Sequence, residues 1–158
     1  MLKYKKKLKE KLMEIERKFI VNELPSLENI QKKKIKQGYV TLSPELRVRQ
    51  ADDKYYLTKK GEGFLIREEE EIEISASEGE KYFSQCANRL VYKTRYYIPY
   101  KNHTIELDIY EKNHKGLVVC EVEFSSVEEA SGFIPPTWFG EEITENREYR
   151  NKYLALMS

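Results

Sequence analysis

The sequence predicts a mainly β, α+β domain: an eight-stranded antiparallel β-barrel lined with charged residues, with flanking helices and a C-terminal helix. Three observations lead there. Eight short segments of strand character recur, separated by turn signals such as SPE, ADD, GEG and KNH. Several of them alternate charged with apolar residues, and since side chains i and i+2 of a strand share a side, each has one charged and one apolar face. The charges are also sorted, arginine pairs on some strands and carboxylate pairs on others, where a solvent face would mix in Thr, Ser and Gln. The 158 residues, 40% of them hydrophobic, suffice for one apolar core and hence one domain.

Residues 1–12 form a lysine-rich extension, either a short exposed helix or a disordered arm, and the domain is expected over 13–158. The strand segments are EIERKFIV, IKQGYVTL, ELRVRQ, KYYLTKK, REEEEIEI, LVYKTRYYIPY, HTIELDIYE and LVVCEVEF. In the first, Glu14, Glu16 and Lys18 share a face, although Ile15 and Phe19 leave its apolar face imperfect. The third alternates Arg47 and Arg49 with Leu46 and Val48, and the fourth puts Thr58 with Lys60. The fifth gathers Arg67, Glu69, Glu71 and Glu73, and the sixth pairs Lys93 with Arg95. Glu106 and Asp108 share a face of the seventh, and Glu121 and Glu123 a face of the eighth. SEGEKYFSQCANRL, ahead of the sixth, reads as the internal helix, and EYRNKYLALM as a terminal helix beginning near Asn146.

Phosphate groups need several fixed cations, and the arginine fork grips oxygen pairs. Lys18, Arg47, Arg49, Lys60, Arg67, Lys93 and Arg95 supply them. Carboxylates on the same surface would repel such a ligand unless Mg²⁺ or Mn²⁺ bridged them to phosphate oxygen. Glu14, Glu16, Glu121 and Glu123 lead as metal ligands, with Asp108 beside them, while Glu69, Glu71, Glu73 and Glu106 are read as orienting the cations. A sheet closed on itself would bring both sets into one lumen, and like charges crowded there would be strained until a polyanion bound.

The composition narrows the function classes. A net charge of +1 implies no general attraction to nucleic acid or anionic membrane, and no run of about 18 apolar residues is present to span one. Cys86 and Cys120 cannot build a disulfide framework, which fits a reducing cytoplasm. Cys86 is expected in the internal helix and Cys120 packed beneath the barrel. His103 and His114 lie at turns without a partner at metal-site spacing, and Trp138, in FIPPTWFG, reads as packing outside the barrel from a rigid loop rather than stacking a base.

Glu14, Glu16 and Lys18 form E-x-E-x-K, and QGYV, RVR, LTKKG, YKTRYYIPY, ELD and EVE follow in order. In these motifs, over residues 13–157, the chain resembles the CYTH family of triphosphate tunnel metalloenzymes. The resemblance implies an eight-stranded antiparallel tunnel in which basic residues hold a triphosphate and acidic residues one or two divalent cations. Tyr39, in QGY, resembles an inward tyrosine of the family and joins the substrate-binding candidates, with packing an equal contender. Lys18, Glu14 and Glu16 become the candidate catalytic residues, Lys18 orienting water or stabilising leaving charge. Members hydrolyse tripolyphosphate, thiamine triphosphate or nucleoside triphosphates, and others cyclise ATP. An HF pair before E-x-E-x-K, associated with the thiamine triphosphatase and class IV cyclase branches, is missing here, and the compact form is similar to the bacterial short branch, which favours inorganic tripolyphosphate. The expected partner is a small anion, tripolyphosphate with ATP as an alternative, and a homodimer is left open. A non-catalytic polyphosphate or nucleotide sensor is the alternative outside enzymes.

Overall fold

Alternation along the strands dictates the architecture, because a strand with one charged and one apolar face must turn its apolar side toward something other than water. In the computed structural model, which describes residues 12–157, the strands are β1 (Leu12–Val21), β2 (Gln31–Leu42), β3 (Glu45–Ala51), β4 (Lys54–Lys60), β5 (Ile66–Ile74), β6 (Leu90–Tyr100), β7 (His103–Tyr110), β8 (Val118–Phe124) and β9 (Phe139–Glu142). The helices are α1 (Ala76–Ser84), α2 (Val127–Gly132) and α3 (Asn151–Leu156). Neighbours run in the order β5-β4-β3-β2-β6-β7-β8-β1, all antiparallel, and β1 also pairs with β5, so eight strands close into a barrel. The extension expected over residues 1–12 falls outside the described residues apart from Leu12, which opens β1.

Two apolar cores lie outside the barrel wall. Phe19, Leu107, Cys120, Val122 and Phe124 face outward and are covered by Ala130 of α2, Phe133 and Phe139. A second outer cluster joins Val48, Tyr55 and Cys86 to Phe83 of α1. Ser75 starts α1 by a capping box, accepting from the Glu78 amide at 3.1 Å while the Glu78 carboxylate accepts from the Ser75 amide at 3.2 Å. The helix ends at Ser84, so Cys86 lies past it, against the expectation that it sits inside.

Neither α2 nor β9 was expected. FIPPTWFGEE has too few alternating positions to signal a strand, yet its end pairs with β1 at Phe19↔Glu142 and Val21↔Phe139. Arg17, outward on β1, ties both in: its guanidinium donates to both Glu142 carboxylate oxygens at 2.9 and 2.7 Å and to the carbonyls of Ala130 and Phe133. Trp138 packs edge-on against Phe139, outside the barrel. His103 packs against Phe124 and Phe133, and His114 hydrogen-bonds the Leu154 carbonyl, so neither reaches the interior.

The terminal helix is interrupted. Asn146 caps a 3₁₀ turn at Arg147–Tyr149, the backbone extends at Arg150, and only then does α3 begin. Leu154 and Ala155 of α3 pack with Tyr39, Val91, Tyr110 and Val119, capping one end of the barrel. No helix among the described residues is long and apolar enough to cross a membrane.

Candidate active site

Inside the barrel is a cavity of about 250 Å³. The cations on its wall are Lys18, Arg47, Arg49, Lys60, Arg67, Arg95, Arg150 and Lys152, and the carboxylates Glu14, Glu16, Glu45, Glu69, Glu71, Glu106, Glu121 and Glu123. The signs balance. Interleaved carboxylates thus offset most of the like-charge crowding that the sequence led us to expect.

Most of these cations are held by a specific acid. Lys60 Nζ lies 3.0 Å from Glu14 and 3.6 Å from Glu69. Arg67 donates to Glu45 at 2.9 Å, and Arg47 lies 3.7 Å from Glu71, which also accepts from the Thr58 hydroxyl at 2.6 Å. Lys18 Nζ donates to the Tyr149 carbonyl at 2.9 Å and stands 3.7 Å from Glu121. Arg95 donates through Nε and Nη2 to Asp108 at 2.7 and 2.8 Å, leaving Nη1 3.3 Å from Glu106. Such pairing fixes each long side chain before any ligand arrives, so the wall is preorganised. Tyr39, also on the wall, accepts from Gln37 Nε2 at 3.0 Å, and burial pushes its hydroxyl up to about 12.

Three sequence candidates do not reach the wall. Lys93 and Asp108 are each 1% exposed at the side chain and bind one another at 2.8 Å, with the Lys93 ammonium 5.4 Å from the Tyr110 ring. Burial pulls Lys93 down to about 7 against Asp108. The Asp108 carboxyl stays below the usual carboxylate range despite its burial, because Arg95 and Lys93 neutralise it. Asp108 thus anchors a buried Lys93–Asp108–Arg95 triad, and here its oxygens and the Lys93 ammonium are engaged with one another and with Arg95 beneath the cavity wall. Glu73, near the end of β5, is exposed and away from the cavity, so it orients none of these cations. Conversely, sequence reading missed Glu45 and Tyr97 as wall residues, and it took Arg150 and Lys152, with Arg147, only as part of a terminal helix that either covers one tunnel mouth or packs on the barrel. Glu45 shares its parity with Arg47 and Arg49, and Tyr97 shares its parity with Arg95, so both were findable. Arg150 and Lys152 come from a segment with no strand period.

Carboxylates cluster on the β1–β8 side. Burial raises the Glu14 carboxyl to about 7 even against Lys60. Burial, with the neighbouring Glu121 and Glu14 charges, lifts Glu16 well above its usual range. Burial would raise Glu121 too, but Lys18 and a hydrogen bond with Glu16 hold it well below. Glu16 and Glu121 thus share one proton in the hydrogen bond between them. Among the described residues no three His, Cys, Asp or Glu donors form a ready metal cage. The donor set is nevertheless all hard carboxylate oxygen, suited to Mg²⁺ or Mn²⁺, which take one or two carboxylates and complete their shell with substrate phosphate and water. A cation fits where Glu16 and Glu121 now share a proton.

A pH dependence follows. A carboxyl raised on folding favours the folded state below its ordinary value of 4.5 and loses that contribution as pH rises through its folded value. Metal-free protein is therefore expected to melt lower at about pH 7 than at about pH 5.5, with Glu14 changing over near 7; above that Lys93, lowered on folding to about 7, contributes with the opposite sign. Melting curves in chelator check this, and a wild-type melting temperature that rises over that interval contradicts it.

The CYTH domain family model matches residues 12–153. The chain belongs to the CYTH family. An inorganic triphosphatase of Nitrosomonas europaea is 43% identical over 150 residues, covering 92% of this chain and 98% of that protein. An inorganic triphosphatase of Acetivibrio thermocellus is 34% identical over 147 residues, covering 90% and 92%. A crystal structure of an inorganic triphosphatase superposes with a TM-score of 0.69 at 40% identity, over 90% of this chain and 94% of that one. The closed eight-stranded barrel is thus the CYTH fold, and the motif order that resembled the family belongs to it.

Proposed function

We propose that this CYTH protein is a divalent-cation-dependent phosphohydrolase that cleaves inorganic tripolyphosphate to pyrophosphate and phosphate. The observation that carries the reading is the cavity inside the barrel: paired cations on its wall, and two carboxyls, Glu16 and Glu121, sharing one proton where a divalent cation would replace it. CYTH relatives at 43% and 34% identity named inorganic triphosphatases support the substrate.

Arg47, Arg49, Lys60, Arg67 and Arg95 bind the phosphoryl oxygens, and Tyr39 donates its hydroxyl, which burial keeps protonated. Glu14, Glu16, Glu121 and Glu123 would hold Mg²⁺ or Mn²⁺, which when bound neutralises substrate charge. Lys18, fixed between the Tyr149 carbonyl and Glu121, presents its remaining protons to the cavity and orients the attacking water. The water oxygen bonds to the terminal phosphorus as the anhydride bond to pyrophosphate breaks, and the water proton leaves to solvent. The barrel wall and α3 restrict bulk water, which strengthens every one of these interactions. We place the protein in the cytoplasm, acting on a small anion rather than on nucleic acid or membrane.

Phosphate release from tripolyphosphate, pyrophosphate and ATP, each with Mg²⁺, Mn²⁺ or chelator, is the test. Tripolyphosphate is expected to turn over fastest, and chelator to abolish turnover. Cyclic AMP formed from ATP faster than tripolyphosphate is hydrolysed would make the protein a cyclase, and tight binding without turnover under either metal would make it a binding module.

A further inference from the structure

Six of the eight cavity cations have a carboxylate partner within 4.0 Å: Lys18, Arg47, Lys60, Arg67, Arg95 and Lys152. Among the described residues, Arg49 and Arg150 have none. Arg49 sits on the β3 wall in the field of Arg47, Arg95, Glu71 and Glu106, whereas Arg150 lies on the segment leading into α3 in the field of Arg67, Glu45, Glu62 and Arg147. Arg150 is also held unusually. Its guanidinium lies over the Phe64 ring at 4.6 Å, and its Nη2 is buried with no hydrogen-bond partner. An aromatic face positions a guanidinium but accepts nothing from its N–H fork, and a buried donor without an acceptor costs stability unless a ligand completes it.

We propose that Arg150 is a substrate-contacting residue that, with Arg67, forms the subsite for one phosphoryl group of the linear triphosphate, Phe64 holding the fork ready. The inference deepens the proposed function and rests on it. A linear triphosphate carries charge along its length, and two unpartnered arginines in separate cationic neighbourhoods suit two of its phosphoryl groups, Arg49 taking one and Arg150 another. The chain segment bearing Arg150 also supplies the Tyr149 carbonyl that fixes Lys18, so filling this subsite and positioning the water are tied to the same stretch of backbone.

The test compares Arg150→Gln, Arg150→Lys and Arg147→Gln. Arg147 packs on the same Phe64 ring at 5.5 Å but is absent from the cavity wall, so it controls for loss of the clasp alone. Tripolyphosphate affinity is measured calorimetrically in chelator, and KM and kcat with Mn²⁺. Arg150→Gln is expected to weaken binding and raise KM by about tenfold or more, with a smaller change in kcat. Arg150→Lys should recover part of the loss, and Arg147→Gln should stay within about twofold of wild type. Wild-type affinity in Arg150→Gln, or an equal loss in Arg147→Gln, overturns the assignment; should Arg150→Gln fail to fold, wild-type affinity in Arg150→Lys does the same. Because binding is read without turnover, a wild type that binds tripolyphosphate but fails to hydrolyse it sinks the proposed function and leaves the subsite standing.

Discussion

Asp108→Asn is expected to be the most destabilising conservative substitution in the barrel, lowering stability by about 3–5 kcal/mol. The carboxylate accepts from Arg95 through two nitrogens and pairs with Lys93 at 2.8 Å, all three side chains being nearly inaccessible to water. An amide of the same shape leaves the buried Arg95 cation facing a neutral group that can donate as well as accept, its desolvation cost uncompensated, and drives Lys93, already pulled down to about 7, into its neutral form without its ionic partner. For a domain of this size the melting temperature should fall by roughly 10 °C. The fall should appear in chelator as fully as with metal, since Asp108 lies off the cavity wall, and Lys93→Met in the same background should recover part of it. Mn²⁺ titration of any folded Asp108→Asn protein separates the alternatives: unchanged affinity fits the anchor, whereas unchanged stability with lost affinity would restore Asp108 as a ligand.

Glu16→Gln is expected to do the opposite, removing activity while leaving the fold as stable or more so. Glu16 is half-buried on the cavity wall and favours its neutral form beside Glu121, so a permanently neutral amide matches what the metal-free protein prefers. In the proposed function that carboxyl must ionise to hold a divalent cation, whose charge stabilisation would be worth several kcal/mol. Losing it should reduce tripolyphosphate turnover by about 100-fold or more at limiting Mn²⁺, with partial recovery in excess metal. Glu123, exposed at the end of β8, should tolerate Gln with at most about a tenfold loss. Paired measurement of the melting temperature in chelator and of the rate against Mn²⁺ concentration decides it. A Glu16→Gln protein with wild-type rates at limiting metal removes Glu16 from the metal site, and a lower melting temperature shows that Glu16 serves the fold.

How much of this was legible in the sequence depends on periodicity. Alternation with period 2 is local, so the parity of Glu14, Glu16 and Lys18, of Arg47 and Arg49, and of Glu121 and Glu123 correctly sorted inward from outward side chains in a closed barrel. Parity says nothing of depth. Lys93 and Arg95 share a face, yet register across β6 and β7 buries Lys93 against Asp108 and Tyr110 while Arg95 reaches the cavity. Glu71 and Glu73 likewise share a face, and only the point at which β5 runs out leaves Glu73 in solvent.

By itself, then, the sequence determined the strands, their two faces and the class of ligand that sorted charges imply. Tertiary structure alone decided which charges pair, which sink beneath the cavity, and that Arg150 and Lys152 join the wall. Those outcomes depend on contacts between residues far apart in the chain: Lys18 with Tyr149, Lys60 with Glu14, Lys152 with Glu45. No local period records such contacts, because barrel closure and the seating of α3 create them only once the whole chain has folded.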